Sequence, residues 1–213
     1  MRTLSPAELA RRIERTLARP DATRQDIEQL CAKAGARGFH GVCVCGSRVE
    51  LACSLLEGTE VKVTGLVGFP LGAAESDSKR YETEVAIDHG AQEIETVLNA
   101  GRLKDGDHGY VLRELRDIAE AADQRPVKVI LETGLLTLEE KDLACQLVLD
   151  SGAHCVCTGV MSVATVEDVR RLRAAVGESF GVKAASLSDL QTVAELLEAG
   201  ATRLGTLDGA ALP

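Results

Sequence analysis

VKVTGLVGF, residues 61–69, is an apolar run with no polar face. A strand with one wet face alternates apolar and polar residues, whereas a strand covered on both sides is apolar nearly throughout. This stretch therefore predicts a strand of a parallel sheet with helices packed over it. Towards the N-terminus, FHGVCVC (39–45) is the preceding strand, followed by a helix through Leu56. Before it, Thr23 with Asp26 opens a helix over RQDIEQLCAKAGARG that closes on Gly35 or Gly38. Pro6 to Leu17 is helical or irregular, with a short first strand over Glu14 to Ala18.

Towards the C-terminus the same alternation continues. A helix covers Asp77 to His89, then QEIETVLN (92–99) is a strand and Gly109 to Ala122 a helix. VKVILET (127–133) is a strand, and Thr137 with Glu140 forms a capping box for the next helix. CVCT (155–158) is the sixth strand, and Thr165 with Asp168 caps the helix behind it. GVKAA (181–185), a helix from Leu187 to Glu198 and ATRLGT (201–206) complete the series. Eight strands, each followed by a helix or turn with no Pro/Gly linker between halves, predict one domain over residues 1–213, a closed (β/α)8 TIM barrel. An open doubly wound sheet is the alternative. No G-x-G-x-x-G or G-x-x-x-x-G-K-S/T stretch follows a strand to support it.

A net charge of −9, with three Phe, two Tyr and no Trp, argues against a nucleic-acid partner. No apolar run reaches membrane-spanning length, and MRTLSPAELARRIERTL has no apolar signal core, so no membrane association and a cytoplasmic location are expected. The seven cysteines are odd in number and fall within strand and helix patterns, which predicts buried free thiols rather than a disulfide framework.

Several segments together resemble the deoxyribose-phosphate aldolase family, class I aldolases on a (β/α)8 barrel. They are TLARPDATRQDI (16–27), GVCV (41–44), VGFPLGA (67–73), EIETVLNAGRLKDG (93–106), VKVILETGLLT (127–137), ATVEDV (164–169), GVKAA (181–185) and EAGATRLGT (198–206), in the family's order across nearly the whole chain. The resemblance implies a lysine on strand 6 that forms a Schiff base with an aldehyde, a second lysine on strand 7 and a proton-transferring aspartate on strand 4. It implies no cofactor and no metal, and it suggests a homodimer. An amine attacks a carbonyl only when neutral, and a nearby cation favours the neutral form.

The chain departs from the family at those positions. Where the family's strand 6 reads like D-F-V-K-T-S-T-G, this chain has His154-Cys155-Val156-Cys157-Thr158-Gly159, so Cys157 stands in place of the imine-forming lysine and the following loop is shorter. The strand 4 aspartate becomes Glu95, while the strand 7 lysine is kept as Lys183 and the strand 5 lysine as Lys128. The family's K-A-S-G-G, whose glycine amides can approach a phosphate, is here Lys183-Ala184-Ala185-Ser186-Leu187. The serines of its G-T-S-S-G turn become Leu207 and Asp208, and an aspartate there would repel a phosphate dianion.

The candidate catalytic residues are thus Lys183, Glu95, Cys157 and Lys128, with Cys43, Thr158, Ser186 and Asp208 expected to line a substrate. Cys157 is either a thiolate favoured by Lys183 or Lys128, or a neutral filler of a vacated position. Lys183 is a Schiff-base amine, an electrostatic clamp or a remnant of ancestry, with Lys128 supplying part of the missing depression of its pKa. Glu95 is a candidate acid/base, and either it or Glu93, two residues earlier on the same face, is expected to pair with Lys183 or Lys128. Glu132 reads as structural and His154 as facing outward. The C-x-C pairs at 43/45 and 155/157 suggest zinc by composition, but they lie on opposite sides of the barrel and should not share an ion.

The expected function is that of a divergent aldolase-like enzyme acting on a small, non-phosphorylated carbonyl compound, by aldol or retro-aldol chemistry or a related cyclisation or isomerisation. Two alternatives stand beside it: a catalytically inactive barrel that binds a metabolite or partner, and residual deoxyribose-phosphate aldolase activity in which Lys183 takes over as nucleophile.

Overall fold

In a computed structural model, which describes residues 4–187 and 192–207, eight strands close into a barrel in sequence order. The strands are β1 (Ile13–Leu17), β2 (Gly41–Cys45), β3 (Lys62–Val67), β4 (Glu93–Val97), β5 (Val127–Ile130), β6 (Cys155–Cys157), β7 (Gly181–Leu187) and β8 (Arg203–Leu207). Every neighbouring pair is parallel, and β1 pairs β8 to complete the ring. The open-sheet alternative is therefore excluded.

The helices among the described residues are α1 (Pro6–Ala10), α2 (Arg24–Arg37), α3 (Val49–Leu55), α4 (Ser76–Asp88), α5 (Ala100–Lys104), α6 (His108–Ala121), α7 (Leu138–Ser151), α8 (Val166–Val176) and α9 (Val193–Glu198). Their ends follow local chemistry. Thr23 and Asp26 cap α2 reciprocally, and Gly38 ends it in the left-handed conformation at φ 64°. Thr137 and Glu140 form the same box at α7, and the Thr165 hydroxyl accepts from the Asp168 amide at α8. The expected helix from Leu187 is corrected: Leu187 ends β7, and α9 begins at Val193. Residues 188–191 between them lie outside the described set.

Two apolar layers result from the period-two alternation of side chains along each strand. The outward residues, among them Val42, Val44, Val63, Ile94, Val129, Val156, Val182 and Leu204, pack with the helices into the main core. Inside the barrel lies a separate cluster of Cys43, Leu66, Val97, Ile130, Cys155 and Cys157, against which Ala18, Cys45, Phe69 and Val160 pack. This inner cluster does not fill the barrel, because charged side chains occupy the rest of it.

Candidate active site

The inward face of four strands carries an ionic array. Glu14 of β1, Glu93 and Glu95 of β4, Lys128 of β5 and Lys183 of β7 are all buried. The Lys183 ammonium donates to Glu14 Oε1 and to both oxygens of Glu95, at 2.8 Å and 2.6 Å. Lys128 donates to the other oxygen of Glu14, to Glu93 at 2.8 Å and to the Thr64 hydroxyl at 3.0 Å. Glu14 is thus the bridge between the two lysines. At the far end of the array, His40 Nε2 meets Glu93 Oε1 at 2.9 Å. At the other end, Cys43 Sγ donates to Glu95 Oε2 at 3.3 Å.

Sequence order explains why the array is sealed. Two positions further along four of the strands, on the same inward face, stands an apolar residue: Leu66 after Thr64, Val97 after Glu95, Ile130 after Lys128 and Ala185 after Lys183, while on β1 the buried Thr16 follows Glu14. The charges therefore lie one layer below the carboxyl ends of the strands, beneath an apolar layer. β8 makes room for the lysine stem. A Cβ at Gly205 would stand 2.8 Å from Lys183 Cε, so only glycine permits that approach.

The electrostatics follow from this pairing. Burial alone would push the Lys183 amine towards neutrality, but Glu14 and Glu95 outweigh it and hold the pKa well above the ordinary lysine value. Lys128 is raised in the same way, against burial, mainly by Glu14. Burial opposes ionisation of Glu14, yet the two ammonium groups hold its carboxyl well below the usual range. Glu93, also opposed by burial, is drawn down to about 2 by Lys128 and by its bond to His40. Any part that Lys128 supplies in depressing the Lys183 pKa is outweighed here. Each lysine does disfavour the other's charge, but the carboxylates between them dominate.

Cys157 pairs in register with Lys183 on one side and Ile130 on the other. It is fully buried, and burial, its contact with Cys155 and the nearby Glu95 push its thiol well above the ordinary value, despite Lys183. Of the two expectations for Cys157, this geometry supports the neutral filler, since the ammonium beside it is already taken by two carboxylates. Cys43 is raised likewise, by burial and then by Glu95. Among the described residues all seven cysteines are free, and the groupings able to hold a metal are Glu14 with Cys43 and Glu95, and Glu14 with His40 and Glu93. In both, a lysine ammonium already occupies the space between the carboxylates. The C-x-C pairs of β2 and β6 do not converge.

Thr158 and Ser186, expected to line the substrate, are engaged elsewhere. The Thr158 hydroxyl accepts from the Ala185 amide at 3.1 Å. The Ser186 hydroxyl donates to the carbonyls of Gly159 and Val160 at 3.2 and 2.8 Å. Ser186 is left-handed at φ 60°, at a position where glycine would be unstrained. Glu132 completes the tether, accepting from the Val160 amide at 2.9 Å and the Met161 amide at 3.3 Å. The short β6–α8 loop is thereby strapped over the ends of β6 and β7. His154 is exposed, its Nδ1 accepting from the Val127 amide at the opposite end of the barrel. Asp208 lies outside the described residues.

Glu14 is the residue that sequence reasoning missed. Its signal was an acidic side chain inside a short strand otherwise bounded by Ile13 and Leu17, where a charge is retained only if it has partners.

A parallel eight-stranded barrel with paired lysines and carboxylates converging inside it is the architecture of an aldolase-like enzyme. No family model matches the chain. It is 45% identical over 202 residues to the deoxyribose-phosphate aldolase of Alkaliphilus oremlandii, covering 92% of this chain and 91% of that one. A candidate deoxyribose-phosphate aldolase from Coccidioides immitis superposes with a TM-score of 0.92 at 32% identity, over 96% of this chain and 84% of that one. The tetrameric deoxyribose phosphate aldolase of Aeropyrum pernix gives 0.88 at 29% identity, over 95% and 88%. The chain belongs to the deoxyribose-phosphate aldolase family.

Proposed function

We propose that this family member performs carbon–carbon bond chemistry on a small, non-phosphorylated carbonyl compound without forming an imine. The observation that carries the reading is the buried Lys183 ammonium held between Glu14 and Glu95, with Cys157 rather than an amine beside it. A lysine so held is a cationic hydrogen-bond donor, not a free amine nucleophile. Its ammonium would polarise the substrate's carbonyl oxygen once Glu95 turns from it. Glu95 would then remove a proton from the carbon next to that carbonyl, leaving an enolate whose oxygen Lys183 stabilises. In the aldol direction the enolate carbon bonds to an acceptor aldehyde, whose oxygen takes the proton back. In reverse, loss of the hydroxyl proton breaks the same bond, and the enolate carbon is reprotonated.

Ser186, Leu187 and Asp208 stand where the family has phosphate-binding residues, and the Ser186 hydroxyl is tied to the loop, which supports a substrate without phosphate. Cys157 would be a neutral wall of the site and Lys128 a charge partner of Glu14. Assembly as a homodimer in the cytoplasm is part of the same reading.

The test is exchange of α-protons of acetaldehyde, propanal and acetone in D2O, followed by NMR, together with borohydride trapping and intact mass. Exchange that is lost in Glu95→Gln and Lys183→Met, with no trapped adduct, is expected. An adduct on Lys183 would replace this mechanism with imine chemistry and residual deoxyribose-phosphate aldolase activity. Absence of both exchange and adduct would favour the second reading, an inactive binding barrel, for which the bonds of Lys183 to Glu14 and Glu95 and the full burial of Cys157 are the specific observations.

A further inference from the structure

The β6–α8 loop is strapped over the ends of β6 and β7, and β2 and β3 lie across the barrel from it. Between the ends of β2 and β3 and the first half of α4 lies a cavity of about 360 Å³. Cys45, Leu66, Phe69, Tyr81, Glu82 and Val85 are among the residues that line it. Its volume falls within the lower range of small-ligand sites, which are mostly apolar with a few polar groups.

We infer that this cavity holds the non-reacting substituent of the substrate, and that the substituent is uncharged and apolar, of phenyl or short-alkyl type. This rests on the carbonyl chemistry proposed above and names the substrate class for it.

Three observations carry the inference. The first is continuity: Cys45 and Phe69 pack against the inner cluster to which Leu66, Cys43 and Cys157 belong, so the cavity wall runs into the barrel interior. Cys43 in turn touches Glu95. The second is charge. Among the described residues the only ionisable side chains on its lining are Glu82, Tyr81 and Cys45, and the Glu82 carboxylate accepts from the Gly68 amide at 2.7 Å. The cations that act on this lining are engaged elsewhere, Arg48 by the Ala22 carbonyl and Lys79 by Glu114 and the Val97 carbonyl, and Glu82 would repel a phosphate or carboxylate. The third is the exposed Tyr81 ring, which at 67% exposure has no structural burial to account for it and offers an aromatic face to a bound group.

Cys45 is half-buried at this cavity and reports on occupancy without any need for turnover. Its alkylation by iodoacetamide would be followed by peptide mass, with half-buried Cys53 on α3 as internal control. With 2-phenylethanol as probe, Cys45 alkylation is expected to slow at least five-fold in a saturable way, with Cys53 unaffected and glycolaldehyde phosphate without effect. Val85→Trp, which fills the cavity, is expected to abolish the protection. It should also raise by ten-fold or more the ratio of KM for phenylacetaldehyde to KM for acetaldehyde in the exchange assay. Unprotected Cys45, or a ratio unchanged by Val85→Trp while exchange proceeds, overturns the inference and leaves the carbonyl chemistry standing. Saturable protection with no exchange of any substrate supports the cavity as an apolar binding site and removes the chemistry instead.

Discussion

Lys183 Nζ stands 2.6 Å from Glu95 Oε2, both side chains 1% exposed, while the residue in register with Lys183 on β6 is a cysteine. A lysine with a second amine at its side is driven towards neutrality, and a lysine with two carboxylates is driven away from it. With Cys157 in register beside it and Glu14 and Glu95 bonded to it, Lys183 has the second influence and not the first from these neighbours.

Breaking the array from one side should be costly. Lys183→Met leaves Glu14 and Glu95 buried without a shared cation, a change that typically costs about 3–5 kcal/mol. A lower denaturant midpoint of that size is expected. Lys183→Met combined with Glu95→Gln should recover part of the loss, because one stranded charge goes with it. Equal or greater loss in the double variant would mean that Glu95 is not Lys183's partner in solution.

Stability should decline at both ends of the pH scale. Glu93 falls from an ordinary 4.5 to about 2 in the folded chain, so its contribution is complete above pH 4.5 and is lost as the pH falls towards 2. Lys128 and Lys183 are raised above 10.5, so theirs is complete below that value and is lost as the pH climbs past it. Urea midpoints measured from pH 2 to 12 should show both limbs. In Glu93→Gln the gap from the parent chain should narrow between pH 4.5 and 2.

Cys157 should behave as an inert thiol. In the native chain its alkylation at pH 8 is expected to be slower than that of half-buried Cys45 and Cys53, and to reach theirs only on unfolding. Fast native labelling of Cys157 would restore the thiolate. Cys157→Lys places an amine beside the Lys183 ammonium, which favours its neutral form, and should give a borohydride-trapped adduct with acetaldehyde at that position. Turnover of 2-deoxyribose 5-phosphate should stay low, because the β6–α8 loop is still strapped over the ends of β6 and β7.

The loop strap can be released in steps. Ser186→Gly removes two hydrogen bonds but relieves a left-handed backbone worth about 1 kcal/mol, so stability should change little. Ser186→Ala loses the bonds and keeps the strain, and should cost about 1–2 kcal/mol. Glu132→Ala should expose residues 158–163 to limited proteolysis without unfolding the barrel. Midpoints and cleavage sites together separate these outcomes.

Alternation of apolar strands with capped helices determined the barrel, since covering a parallel strand on both faces leaves a pattern that a chain can adopt in few other ways. The resemblance to the aldolase family located Lys128, Lys183 and Glu95 in the barrel, and the strand period of two put Glu93 on the same face as Glu95. What it could not supply was the partner of each charge. Glu14 and Lys183 are 169 residues apart and meet only because the barrel closes β1 against β8 next to β7. That closure decided whether Lys183 is an amine or an ammonium, and whether Cys157 is a thiol or a thiolate. It also committed the hydroxyls of Ser186 and Thr158 to backbone rather than to a ligand. Periodicity says which way a side chain points. Only the closed ring says what it meets there, and in a low-dielectric interior the protonation state belongs to the neighbours.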